Sequence, residues 1–151
     1  MAEMKDYNGY SGEVRGRGGY WQKGAYLIGL RPKPSKCAAC GQDQGVITGH
    51  WETYDEPFAL NEDIPLCSTC HLFLHCRHRY KDKWAAYCEN IAKGLTAADV
   101  MHQFDWSGFK KRWLDGVGDY VASPNPGDPG LLIRITTGEE LARIRAEREG
   151  K

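Results

Sequence analysis

Two Cys-x-x-Cys pairs, Cys37-Ala-Ala-Cys40 and Cys67-Ser-Thr-Cys70, constrain this chain more than any other feature. Thiolates at that spacing can converge on one ion at about 2.3 Å, and two such knuckles complete a closed tetrahedral zinc site. The rival use of paired cysteines, a disulfide framework, belongs to exported chains. Here the longest apolar stretch near the N-terminus is Ala25–Leu30, interrupted by Gly29. That is too short for a membrane span of about 20 residues and carries no secretory pattern. The expectation is therefore a cytoplasmic chain with structural Zn2+ on Cys37, Cys40, Cys67 and Cys70. Gly41, directly after the first pair, suits a tight knuckle that needs a positive φ. Cys76 and Cys88 lie outside the pairing and read as buried or half-buried thiols.

A length of 151 residues suits one domain rather than two. The 20 basic and 20 acidic side chains cancel, which excludes a protein that coats polyanions by bulk charge. Their distribution is uneven. Residues 1–36 carry seven basic and three acidic groups, residues 37–66 six acids with no Lys or Arg, and residues 67–115 eight basic and five acidic groups. An acidic island between basic flanks suits a cation site within a polyanion-facing surface, and equally suits solvated loops of mixed charge.

Residues 1–33 read as a flexible or extended Gly/Tyr-rich arm, because Gly9, Gly12, Gly16, Gly18, Gly19 and Gly24 oppose regular structure. The interleaved Tyr, Trp and Arg could also stack bases and pair phosphates. Tyr26–Leu30 reads as a short strand, and residues 45–51 as another. A helical pattern starts near Ser68 or Thr69, with Leu72, Phe73, Cys76 and Tyr80 at three- and four-residue steps. A second helix spans Trp84–Ala92 with Trp84, Tyr87, Cys88 and Ile91 on one face. Thr96 and Asp99 suggest a capped third helix, Ser107–Leu114 a fourth, and Ser123–Gly130 a linker. After the apolar run Leu131–Ile135, Thr137-Gly-Glu-Glu140 has the spacing of a capping box for a charged final helix.

The second knuckle continues into His71 and His75, which on a helix stand at i and i+4 and can share one ion. His78 follows at i+7. Helical histidines often only pack or cap, but two of them beside a zinc knuckle point to a second metal site. His50 ends the strand after the first knuckle, and a zinc-held core would bring it toward His71 and His75. A neutral imidazole there could deprotonate water while a cation on the helix stabilises charge on a phosphodiester.

The run Cys37-x-x-Cys40-Gly41, Gly49-His50, Leu66-Cys67-x-x-Cys70-His71-x-x-x-His75 resembles the zinc-bound branch of the HNH endonucleases (ββα-metal fold). Residues 50–57 and 74–77 are similar to small HNH-type bacteriophage proteins. The likeness covers about residues 35–80. It implies a small zinc-ribbon ββα-metal core over 34–80; with the helical extension read over 81–120 and the linker and C-terminal helix read over 121–151, the expected fold class is α+β. The likeness further implies a DNA endonuclease or nickase in a bacterial cell, with His50 as general base. His71 and His75 would hold a catalytic Mg2+, Mn2+ or Ni2+, and Arg77, Arg79, Lys81 and Lys83 would meet DNA phosphates. Phe109–Trp113 would add to that surface or form an amphipathic helix. Cutting both strands with one such site implies a homodimer.

The chain departs from the family pattern at two places. Glu62 stands where the family has the asparagine that orients the loop, with Asn61 one place early. A single histidine stands where the family has Asp-His or His-His. If His50 matches the second member, the base is kept and a ligand lost. If it matches the first, Trp51 replaces the base, and Glu52 or Glu62 is the compensating carboxylate. The alternative function is a catalytically reduced zinc-ribbon module that binds nucleic acid or a host protein partner.

Overall fold

The computed structural model describes residues 4–94, 127–128 and 130–150. Two compact units share the chain discontinuously: residues 1–33, 51–63 and 141–151 form one, and residues 34–50 and 64–140 the other. Among the described residues, the architecture combines helices with one two-stranded antiparallel sheet, an α+β composition. Among the described residues no helix is long and apolar enough to cross a membrane.

The first unit is built on α1 (Gly12–Leu27), capped by the Ser11 hydroxyl, which accepts from the Val14 amide at 3.2 Å. This corrects both the arm expected over 1–33 and the strand expected over Tyr26–Leu30. Each helical glycine costs about 1 kcal/mol relative to alanine, and tertiary packing offsets that cost. Gly18 lies where the side chains of Trp51 and Tyr54 press in, and a Cβ there would come within 2.9 Å of the Trp51 ring. Buried Arg15, Gly18 and Ala25 share a stripe at helical spacing. The Arg15 guanidinium stacks on the rings of Tyr7 and Tyr54 at 5.1 and 5.3 Å. Asp63 accepts from Gln22, Tyr26 and Arg31 at 2.8–3.0 Å, and also from the Trp51 indole. After α1 the chain turns at Gly29, whose φ of 76° belongs to the left-handed region.

The second unit carries β1 (Ile47–His50), β2 (Ile64–Cys67) and α2 (Ser68–His75). The strands pair in the register Ile47↔Cys67 to His50↔Ile64. The first knuckle is closed by Cys37 N–H to the Gln42 carbonyl at 2.7 Å, with Gly41 at a φ of 79°. It is joined to the sheet by Ala38 N–H on the Pro65 carbonyl at 2.7 Å. α3 (Lys81–Ala92) buries Trp84, Tyr87, Cys88 and Ile91, the face read from the sequence. Its Trp84 indole donates to Thr136 of α4 (Leu131–Thr137) at 2.9 Å.

α2 stops at His75, so His78 does not continue the stripe of His71 and His75. The capping box expected at Thr137–Glu140 does not form. Thr137 ends α4, its hydroxyl donating to the Arg134 carbonyl at 3.1 Å, and Gly138 then breaks the helix at a φ of 83°. Glu140 pairs instead with Arg134 as α5 (Glu139–Arg148) begins. The helices expected from Thr96 and over Ser107–Leu114, the cations of Phe109–Trp113 and most of the linker from Ser123 lie outside the described residues.

Candidate metal centres

The four knuckle cysteines converge because local geometry leaves each pair little choice. Each Cys-x-x-Cys turn folds the third amide onto the first sulfur: Cys40 N–H to Cys37 Sγ at 3.5 Å, and Cys70 N–H to Cys67 Sγ at 3.4 Å. Cys67 is both the last residue of β2 and the N-cap of α2. The sheet thus carries the second knuckle to the first, and Cys40 Sγ lies 3.9 Å from Cys67 Sγ. All four sulfurs lie within 4.8 Å of one another and all four residues are buried.

Their protons are unevenly shared. Hydrogen bonds from Cys40, Cys67 and Cys70 hold the Cys37 thiol well below its ordinary range. The bonds of Cys67 to Cys37 and Cys40 push Cys67 up, and burial above all pushes Cys70 up. Four buried sulfurs gathered this closely could hold a metal ion such as zinc. Cys88, raised to about 12 by burial, stands apart as an inert thiol.

A second cluster forms at the other end of the same sheet and farther along the same helix. His50 Nδ1 lies 3.2 Å from His71 Nε2, and His75 Nε2 lies 3.0 Å from that same atom. A ring nitrogen has one proton or one lone pair, so His71 Nε2 cannot satisfy both neighbours by hydrogen bonding alone. Nitrogen ligands about 2.1 Å from one ion stand at such separations, and a single cation would accept all three lone pairs. Burial falls from His50 through His71 to exposed His75, which leaves the cluster open on one side.

Thr48 had no place among the residues singled out by sequence. It lies two residues before His50, hence on the same face of β1, and its hydroxyl is 2.8 Å from His71 Nδ1. With the hydroxyl proton directed to the Leu66 carbonyl at 3.5 Å, the oxygen accepts from Nδ1–H. That tautomer leaves the Nε2 lone pair facing the cluster. Strand periodicity was the available signal.

Other expected site residues lie elsewhere. Glu62 is exposed and ion-pairs with Arg143 at 3.2 Å in the first unit. Asn61 is 1 % exposed and binds the loop around it. Its amide donates to the carbonyls of Asp55 and Phe58 at 2.8 and 3.1 Å, and its oxygen accepts from Thr53 at 2.7 Å. Asn61 therefore fastens this loop, one position before Glu62. Glu52 is buried and takes the Tyr7 hydroxyl and the Asn8 amide. Arg77 is buried, with its guanidinium donating to the Leu74 carbonyl at 3.4 Å. Arg79, Lys81 and Lys83 line an exposed hollow with His78, Tyr80 and Asp82.

The chain matches no family model, no curated protein and no solved structure.

Proposed function

We propose that this protein is a metal-dependent nuclease of the HNH type, cutting or nicking DNA. The observation that carries the reading is the meeting of His50, His71 and His75 within 4.8 Å of one another. They meet at the open end of a strand–strand–helix element whose closed end gathers Cys37, Cys40, Cys67 and Cys70. Cys37, Cys40, Cys67 and Cys70 would hold Zn2+, which would tie the first knuckle to the junction of β2 and α2 from which the helical imidazoles project. A divalent cation at the histidines would neutralise developing charge on phosphate oxygens and acidify a coordinated water.

The side chains divide the remaining tasks. His71, with Nδ1–H on Thr48, offers Nε2 as a ligand, and His75 offers its own Nε2 from the next turn. His50 is 1 % exposed, and its Nδ1 faces the shared centre rather than solvent. It therefore serves as the third ligand rather than as a separate base. Arg79, Lys81 and Lys83 receive backbone phosphates without reading sequence, and Asn61 keeps the loop after β1 in one conformation.

Supercoiled plasmid is the test substrate, with Mg2+, Mn2+ or Ni2+ supplied in turn. Nicking by the unaltered chain, abolished in both His50→Ala and His71→Ala, is the expected result. Nicking that persists in both variants overturns the assignment. His50→Ala should also weaken cation binding at the cluster, whereas a pure base would leave that binding unchanged.

One observation favours the second reading, a catalytically reduced nucleic-acid or protein-binding module. Trp51, beside His50, is 2 % exposed and packed against the rings of Tyr54 and Phe58, so it offers no second polar group. DNA retention without nicking under every cation would select that reading.

A further inference from the structure

Tyr87 is fully buried on α3, its ring stacked on Phe73 of α2 with centroids 4.4 Å apart and planes at 19°. Its hydroxyl oxygen lies 2.9 Å from Cys70 Sγ. Two of the other knuckle sulfurs receive different support: backbone N–H groups reach Cys37 and Cys67. Cys70 instead receives a side chain 17 residues further along the chain. A purely apolar contact at this position would be served by phenylalanine, and a buried hydroxyl is costly unless it is bonded. Four thiolates on one divalent cation leave two excess negative charges in a buried site. A phenolic O–H aimed at one sulfur disperses part of that charge.

We propose that Tyr87 is a positioning residue of the four-cysteine metal centre, its hydroxyl donating to the Cys70 thiolate and thereby tightening the hold on the metal. The inference rests on the reading of Cys37, Cys40, Cys67 and Cys70 as metal ligands and is independent of any nuclease activity. It also gives α3 a direct tie to the centre. The ring packs on Phe73, and the hydroxyl meets the sulfur.

The experiment compares the full chain with Tyr87→Phe and Phe73→Leu. Co2+ reports the thiolates through its sulfur-to-metal charge-transfer bands, and a competing chelator reports Zn2+ affinity. Tyr87→Phe keeps the ring and removes only the oxygen. It should shift the charge-transfer band and weaken Zn2+ binding by roughly 10- to 100-fold, the usual cost of losing a group that supports a metal ligand. Phe73→Leu keeps the hydroxyl and trims the stack. It should lower thermal stability while leaving the band in place. An unchanged band and affinity in Tyr87→Phe overturns the proposal. So does a Phe73→Leu loss of affinity equal to that of Tyr87→Phe, because packing rather than the hydrogen bond would then carry the effect. If the unaltered chain shows no charge-transfer band, the metal reading itself fails and the proposal falls with it. A chain that binds Co2+ through sulfur but never nicks DNA leaves the Tyr87 result standing.

Discussion

Asp63 and Tyr26 show how a single carboxylate organises its neighbours. The Tyr26 hydroxyl donates to Asp63 at 2.8 Å, and burial, then that bond, raises the phenol above its ordinary value of 10.0. A phenol whose neutral form is favoured by folding stabilises the fold fully below the unfolded value. It loses that contribution as pH rises through the unfolded and then the folded value. Thermal stability should therefore fall above about pH 10 in the unaltered chain. Tyr26→Phe should flatten this alkaline slope, at the cost of some stability near neutrality. A melt series from pH 8 to 11 checks both, and equal slopes would remove Tyr26 from the account. Asn61 belongs to the same scale: one side-chain amide satisfies two carbonyls and one hydroxyl, a task that a carboxylate such as Glu62 cannot perform without a donor.

α1 is the element where propensity and packing conflict. It holds Gly12, Gly16, Gly18, Gly19 and Gly24 and is nonetheless a helix of 16 residues. The glycines are not equivalent. A Cβ at Gly16 would meet nothing within 4 Å, whereas at Gly18 it would reach the Trp51 and Tyr54 rings at 2.9 and 3.0 Å. Gly16→Ala should stabilise by about 0.5–1 kcal/mol. Gly18→Ala should destabilise by about 1–3 kcal/mol through overpacking. Denaturant melts of the two variants measure the difference, and equal shifts would mean that Gly18 is retained for some reason other than space. Element boundaries follow the same logic. α2 does not run on to His78: after Cys76 the pattern tightens, with the Arg77 amide on the Leu74 carbonyl three residues back at 3.2 Å.

At the scale of the whole molecule, the chain passes between its two units four times, and two of these crossings, after His50 and before Ile64, fall at the ends of the paired strands. The second unit gathers its sheet and α2 around the four sulfurs, so metal removal should unravel it. Strong chelation, or Cys67→Ser, should abolish slow amide exchange in β1, β2 and α2, because binding of the ion supplies much of the folding energy there. Acidification should act in the same direction, since protons compete with the metal for thiolate sulfur. Unchanged exchange after complete metal removal would show that the core stands without an ion.

What residue order alone determined lies in short spacings. Two Cys-x-x-Cys turns, His71 and His75 four apart, and the face of Trp84, Tyr87, Cys88 and Ile91 are all written within a turn or two of backbone. Covalent geometry carries them directly into space. The convergence of His50 on the helix was also foreseeable, because it follows from two knuckles joined at one end of a two-stranded sheet whose first strand ends at His50. What only the tertiary structure decided needed partners far along the chain. The glycine-rich segment forms a helix against whose Gly18 the rings of Trp51 and Tyr54 close in. Asn61, Thr48 and Tyr87 acquire their roles from carbonyls, an imidazole and a sulfur that no local pattern brings to them. Hydrogen bonds and close packing are short-ranged in space but indifferent to separation along the sequence, so these assignments exist only once the chain has folded.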